Sequence, residues 1–95
     1  MKEIFCKVNN HIGLTSRISA ELVGEANRAN KCNITLYFED DTADLKSIMN
    51  MMSLVIRDGD EFTVKIEGEN EELVFEKLTS LLSQLNLLKK ELVKN

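Results

Sequence analysis

The 95-residue sequence has no proline, no tryptophan, one histidine, two cysteines and four glycines. Most of these shortages remove a class of chemistry. Cys6 and Cys32 lie far apart with no second pair, so they form no metal-ligand spacing and read as small core or edge residues. His11 is the only histidine, and no nucleophile elbow accompanies it, so the motifs assemble no catalytic set. Gly13, Gly24, Gly59 and Gly68 are isolated, which excludes a glycine-rich phosphate loop. No apolar run is as long as a membrane span, and Met1-Lys2-Glu3 leads directly into an alternating segment rather than a signal peptide, so the cytosol is the expected setting. The formal net charge is -4 and the pI is near 5.0, which argues against a nucleic-acid surface. The carboxylates are spread along the chain, and none sits in apolar sequence that would raise its pKa. Neither a cofactor nor a metal is expected. The missing proline, by itself, points to no function.

What is present is a clear alternation of periods. Residues 3–8 alternate, with Ile4, Cys6 and Val8 on one face and Phe5 and Lys7 on the other. A turn through Gly13 follows, then a helix capped by Thr15 or Ser16 with Ile18, Leu22, Ala26 and Ala29 in one stripe, widened by Val23, to about Asn30. Residues 33–39 form a second strand, Glu39-Asp40-Asp41 a hairpin turn, and residues 42–44 a short return strand. A helix from Ser47 to about Arg57 precedes the cleanest strand, residues 61–67, with Phe62, Val64 and Ile66 inward. The last helix opens with acidic residues and carries Leu73, the stem of Lys77, Leu78, Leu81, Leu82 and Leu85 as its stripe. Leu87, Leu88, Leu92 and Val93 extend the apolar pattern, giving an expected helical extension over about residues 84–95. The order β-α-β-β-α-β-α, with one apolar face on each strand, predicts a single α+β domain over residues 1–95. It is a four-stranded antiparallel sheet with three helices on one face.

Two stretches carry candidate function. In Leu45–Leu54, Ser47 sits where a helix N-cap belongs, with Asn50 at the third helical position. Ile48, Met51, Met52 and Val55 have the spacing of one buried stripe, which leaves Met49 exposed as an adaptable contact. Spacing alone makes this a short core helix. In Gly13-Leu14-Thr15-Ser16-Arg17, a turn, two hydroxyls and a guanidinium meet a helix start, which is an anion site by construction. Simple capping by Thr15 or Ser16, with Arg17 in solvent, accounts for the same residues.

Together these segments resemble the HPr family, the small phosphocarriers of the bacterial sugar phosphotransferase system. Leu45-Lys46-Ser47-Ile48-Met49 followed by Met52-Ser53-Leu54 matches the family's regulatory-serine helix, and Gly13-Leu14 with Arg17 matches its active-site turn. The resemblance implies the family's open-faced β-sandwich. It also implies a cytoplasmic bacterial protein of sugar transport and carbon-catabolite regulation, one that is acted upon rather than an enzyme. In the phosphocarriers a histidine in the turn takes phosphate from phosphoenolpyruvate via Enzyme I. Here that position is Thr15, the following alanine is Ser16, and the proline is Ile18. A threonine hydroxyl is not nucleophilic near neutral pH without a base. His11 lies upstream and offers an alternative acceptor. The chain therefore reads as an HPr-like, Crh-like variant without the active-site histidine. The resemblance implies phosphorylation at Ser47 by an HPr kinase/phosphorylase-like kinase, and binding to a catabolite-control repressor-like protein through Ile48, Met49 and Met52. Asn50 stands where the family carries glycine and puts a polar side chain on that face. Other phosphotransferase-system proteins, or a second copy held through the leucine-rich Leu85–Val93 segment, are further expected partners. No nucleic acid or membrane is expected to bind directly.

Overall fold

The computed structural model describes residues 1–89. Its elements are β1 (Lys2–Lys7), α1 (Ser16–Asn27), β2 (Cys32–Phe38), β3 (Asp41–Asp44), α2 (Ile48–Met52), β4 (Glu61–Gly68) and α3 (Glu71–Gln84). The four strands form one antiparallel sheet in the order β1-β4-β2-β3, with the helices on one face. The period-2 alternation sets this register. Ile4, Val64, Leu36 and Ala43 fall opposite one another across all four strands and are all buried. One residue along, Phe5, Thr63, Tyr37 and Thr42 form the matching row on the open face. A slip by one residue would exchange the two rows, so burial fixes the pairing. On the open face the Lys65 ammonium lies 4.7 Å from the centre of the Tyr37 ring and 3.7 Å from Glu3.

Under the sheet, Ile18, Leu22 and Ala26 of α1, Met51 of α2 and Leu78 and Leu82 of α3 complete the core. Helix α1 stops at Asn27, short of the expected Asn30, because the Arg28 and Ala29 N–H groups bond three residues back, to Glu25 and Ala26. Gly68 joins β4 to α3 at φ 143, and a Cβ there would stand 2.3 Å from the Lys31 carbonyl oxygen, so only glycine lets these backbones approach. Leu73, placed by its spacing in the α3 stripe, lies in the first turn and is exposed.

Two elements depart from the periodicity. Helix α2 has five residues and does not run to Arg57. The Ser53 hydroxyl and N–H both donate to the Asn50 carbonyl, and the chain then leaves to dock against the β1–α1 loop. One turn of helix cannot present an i to i+7 stripe. Met51 is 1% exposed, but Ile48, Met52 and Val55 are 40%, 53% and 65% exposed.

The second departure is at the C-terminal end. Helix α3 ends at Gln84, and Asn86, at φ 59, reverses the chain. Leu87 becomes fully buried, and Leu88 pairs antiparallel with Cys6 along the outer edge of β1. The apolar pattern continues because a strap lies on the core, not because the helix continues. Residues 90–95, with the rest of the expected extension, lie outside the described residues.

Candidate functional site

The β1–α1 loop is built by Asn10, whose Oδ1 accepts from the N–H groups of Ile12 and Gly13 at 3.0 and 2.9 Å. Gly13 has φ 81, and a Cβ on it would meet the Ile56 carbonyl oxygen at 2.9 Å. The same carbonyl accepts from the Leu14 N–H at 2.9 Å, so this loop is sewn to the segment that follows α2. Thr15 is the N-cap of α1, and its hydroxyl accepts from the Ile18 N–H at 3.3 Å. The choice between Thr15 and Ser16 thus falls to Thr15. Its hydroxyl is bonded to backbone, not to a side-chain base. Ser16 is exposed, and Arg17 extends into solvent with its Nε 3.9 Å from Glu21. His11, at φ 67, sets its Nδ1 3.1 Å from Asp58 Oδ2.

Ser47 is the N-cap of α2, and its hydroxyl accepts from the Asn50 N–H at 3.2 Å. Asn50 answers by accepting the Asp44 N–H on its Oδ1 at 3.3 Å, so its side chain braces the β3–α2 connection. Lys46 is fixed from three sides. Its ammonium donates to the Ala29 and Cys32 carbonyls, its N–H donates to Asp44 Oδ1, and its carbonyl accepts from Asn27 of α1. Ser47 is therefore held on a rigid frame of α1, β2 and β3. Beside it stand Ile48, Met49 and Met52, with Met49 the most open at 79% exposed.

The predicted residues thus fall into two groups. Thr15, Ser16 and Arg17 open α1, while Ser47, Ile48, Met49, Asn50 and Met52 make up the start and body of α2. The loops after β1 and α2 enclose an open depression lined by residues that include His11, Ile12, Val55, Arg57 and Asp58, and neither Thr15 nor Ser47 lines it. Sequence reasoning gave Ile12 and Asp58 no role and placed Val55 in a buried stripe, whereas all three line this depression. Ile12 was legible as an apolar residue inside a polar turn, whereas nothing in the sequence beside Asp58 ties it to His11, 47 positions away.

The structure is thus an open-faced α+β sandwich with capped helix starts at positions 15 and 47. The family model described as "PTS HPr component phosphorylation site" matches residues 3–84. The chain is 36% identical over 76 residues to the phosphocarrier protein HPr of Lysinibacillus sphaericus, spanning 80% of this chain and 85% of that one. Its fold superposes on the histidine-containing phosphocarrier protein of a mycoplasma with a TM-score of 0.85 at 25% identity, covering 93% of this chain and 99% of the other. It also superposes on Crh of Bacillus subtilis, described as a catabolite-repression protein in a swapped, intertwined dimer. There the TM-score is 0.67 at 34% identity, covering 83% and 90% of the two chains. The chain belongs to the HPr family of the phosphotransferase system.

Proposed function

We propose that this HPr-family chain is a regulatory protein switched by phosphorylation at Ser47, and that it does not relay phosphate through a histidine. The observation that carries this reading is the contrast between the two helix starts. Thr15 and Ser47 both cap a helix with their hydroxyls, but beside Thr15 stand only the exposed Ser16 and Arg17. Ser47 sits on a frame already tied to three elements, next to exposed Ile48, Met49 and Met52. A phosphate there adds about -2 charge at neutral pH and strong acceptor oxygens at N–H groups that already point toward the cap. An ATP-dependent HPr kinase/phosphorylase-like enzyme would add it. A catabolite-control repressor-like protein would read the charge together with the apolar trio. Asn50 is compatible with both, because its amide oxygen is turned back to Asp44. In this reading the chain is not itself an enzyme, needs no cofactor and works in the cytoplasm. The test is an intact mass after incubation with ATP and an HPr kinase. One phosphate should add, and Ser47→Ala should add none. An unchanged mass for the wild-type chain sinks the proposal.

A second reading has one observation in its favour. With Nδ1 against Asp58 and its side chain 90% exposed, His11 leaves Nε2 open to solvent. Exposed Arg17 and the open start of α1, with Thr15 and Ser16, would then serve as an anion-docking surface for other phosphotransferase-system proteins. Phosphoenolpyruvate and Enzyme I would give an acid-labile adduct that His11→Ala abolishes.

Within the leucine-rich segment Leu87 is buried in the chain's own core, while Leu92 and Val93 lie outside the described residues.

A further inference from the structure

The edge of β1 is closed by the chain's own tail. The Lys7 N–H donates to the Leu87 carbonyl at 2.8 Å, and the Lys89 N–H donates to the Phe5 carbonyl at 3.1 Å. Asn9 locks the pair: its N–H donates to the Asn86 carbonyl, and its side-chain amide reaches the Lys7 and Leu88 carbonyls at 2.9 and 3.1 Å. Residues 86–89 therefore cover backbone groups that would otherwise be an open template for another strand.

We infer that the β1 edge is a self-complementary pairing surface for a second copy of this chain, held closed by the strap of residues 86–89. The argument rests on parity and charge. The groups that face the strap belong to odd-numbered residues, Phe5 and Lys7, so in an antiparallel ladder the odd residues of β1 carry the free edge. A two-fold axis at Phe5 sets odd residues against odd ones. Phe5 then lies opposite Phe5 of the second copy, and Glu3 lies opposite Lys7 twice over. All three side chains stand on the open face of the sheet, where Phe5 is already 42% exposed. The result is an apolar pair flanked by two ion pairs, a favourable cross-strand arrangement. Moving the axis by one residue either way sets Phe5 against Glu3 or against Lys7, so the charges choose the register. The same surface serves both molecules, as a closed two-fold dimer requires.

Strap and second copy compete for the Phe5 carbonyl and the Lys7 N–H. The strap is tethered, so its effective concentration keeps the intact chain monomeric. Residues 86–89 thus hold the β1 edge closed against a second copy.

Sedimentation equilibrium tests this on three proteins: the intact chain, Lys89→Pro, which removes the N–H that reaches Phe5 but keeps Leu87, and a chain ending at Asn86. The intact chain should sediment at its monomer mass of 10.8 kDa. The two opened proteins should approach twice the monomer mass with concentration. Adding Glu3→Lys to an opened protein should return it to a monomer, and adding Lys7→Glu as well should restore the dimer. An intact chain that dimerises overturns the inference, as does a folded Lys89→Pro protein that stays monomeric at the highest attainable concentration. A dimer indifferent to Glu3→Lys also overturns it. If the shortened chain loses its circular-dichroism signal, Lys89→Pro decides alone.

Discussion

Single side chains decide how the helix starts are used. Thr15 accepts from the Ile18 N–H, while Ser16 is exposed one position further on. Thr15→Ala should therefore cost about 1 kcal/mol in urea unfolding, and Ser16→Ala should stay within about 0.5 kcal/mol. Equal losses would mean that the cap is shared. Both residues were legible as caps, since short hydroxyl side chains before an apolar stripe satisfy free N–H groups wherever they stand. Which one caps was not legible, because the turn at Gly13 decides where the helix begins. Asn50 shows the opposite limit. Its position on α2 was readable, but its direction was not. A side chain that reaches back to Asp44 looks, in sequence, like one that points at a partner.

At the scale of elements, alternation and helical spacing recovered the order of strands and helices. They failed where an element was too short or a segment changed its period. α2 has no room for the stripe assigned to it. Past α3 the leucines kept an apolar pattern while the backbone turned from helix to extended strap. Leu87 makes the difference measurable. As part of the strap it is fully buried, whereas Leu73, inside the helix, is half exposed. Leu87→Ala should destabilise the fold by about 2–5 kcal/mol through the cavity it leaves, and Leu73→Ala should cost no more than about 0.5 kcal/mol. A continued helical stripe predicts the reverse. Lys46 joins elements in another way, by crossing from the α2 connection to the Ala29 and Cys32 carbonyls. Lys46→Met keeps the stem but removes the donors, and should cost roughly 1–3 kcal/mol in the same measurement. A neutral result would show that water satisfies both carbonyls.

Across the whole molecule, the sheet register carries the fold, and Cys6 tests it from inside. The residue pairs with Phe62 in β4 and faces Leu88 of the strap, so it is enclosed by the two strands beside it and the core beneath. Burial pushes its thiol up from 9.0 to about 12. Sequence showed Cys6 on the inward face but not how completely it is shut away, because the strap that shields it comes from the other end of the chain. The consequence runs toward high pH. The unfolded chain loses this proton near pH 9, while the folded chain keeps it until near pH 12. Between those limits the unfolded state binds fewer protons, so stability falls as pH rises, by about 1.4 kcal/mol per unit from this group alone. Other groups also titrate there, which makes the comparison with Cys6→Ala the informative one. The wild type should be the more stable protein at pH 8, through packing. Its advantage over Cys6→Ala should shrink by roughly 1.4 kcal/mol for each pH unit above 9 in urea titrations, because the variant has no thiol to release. Parallel profiles for the two proteins would mean that Cys6 reaches solvent and that the strap does not close over β1.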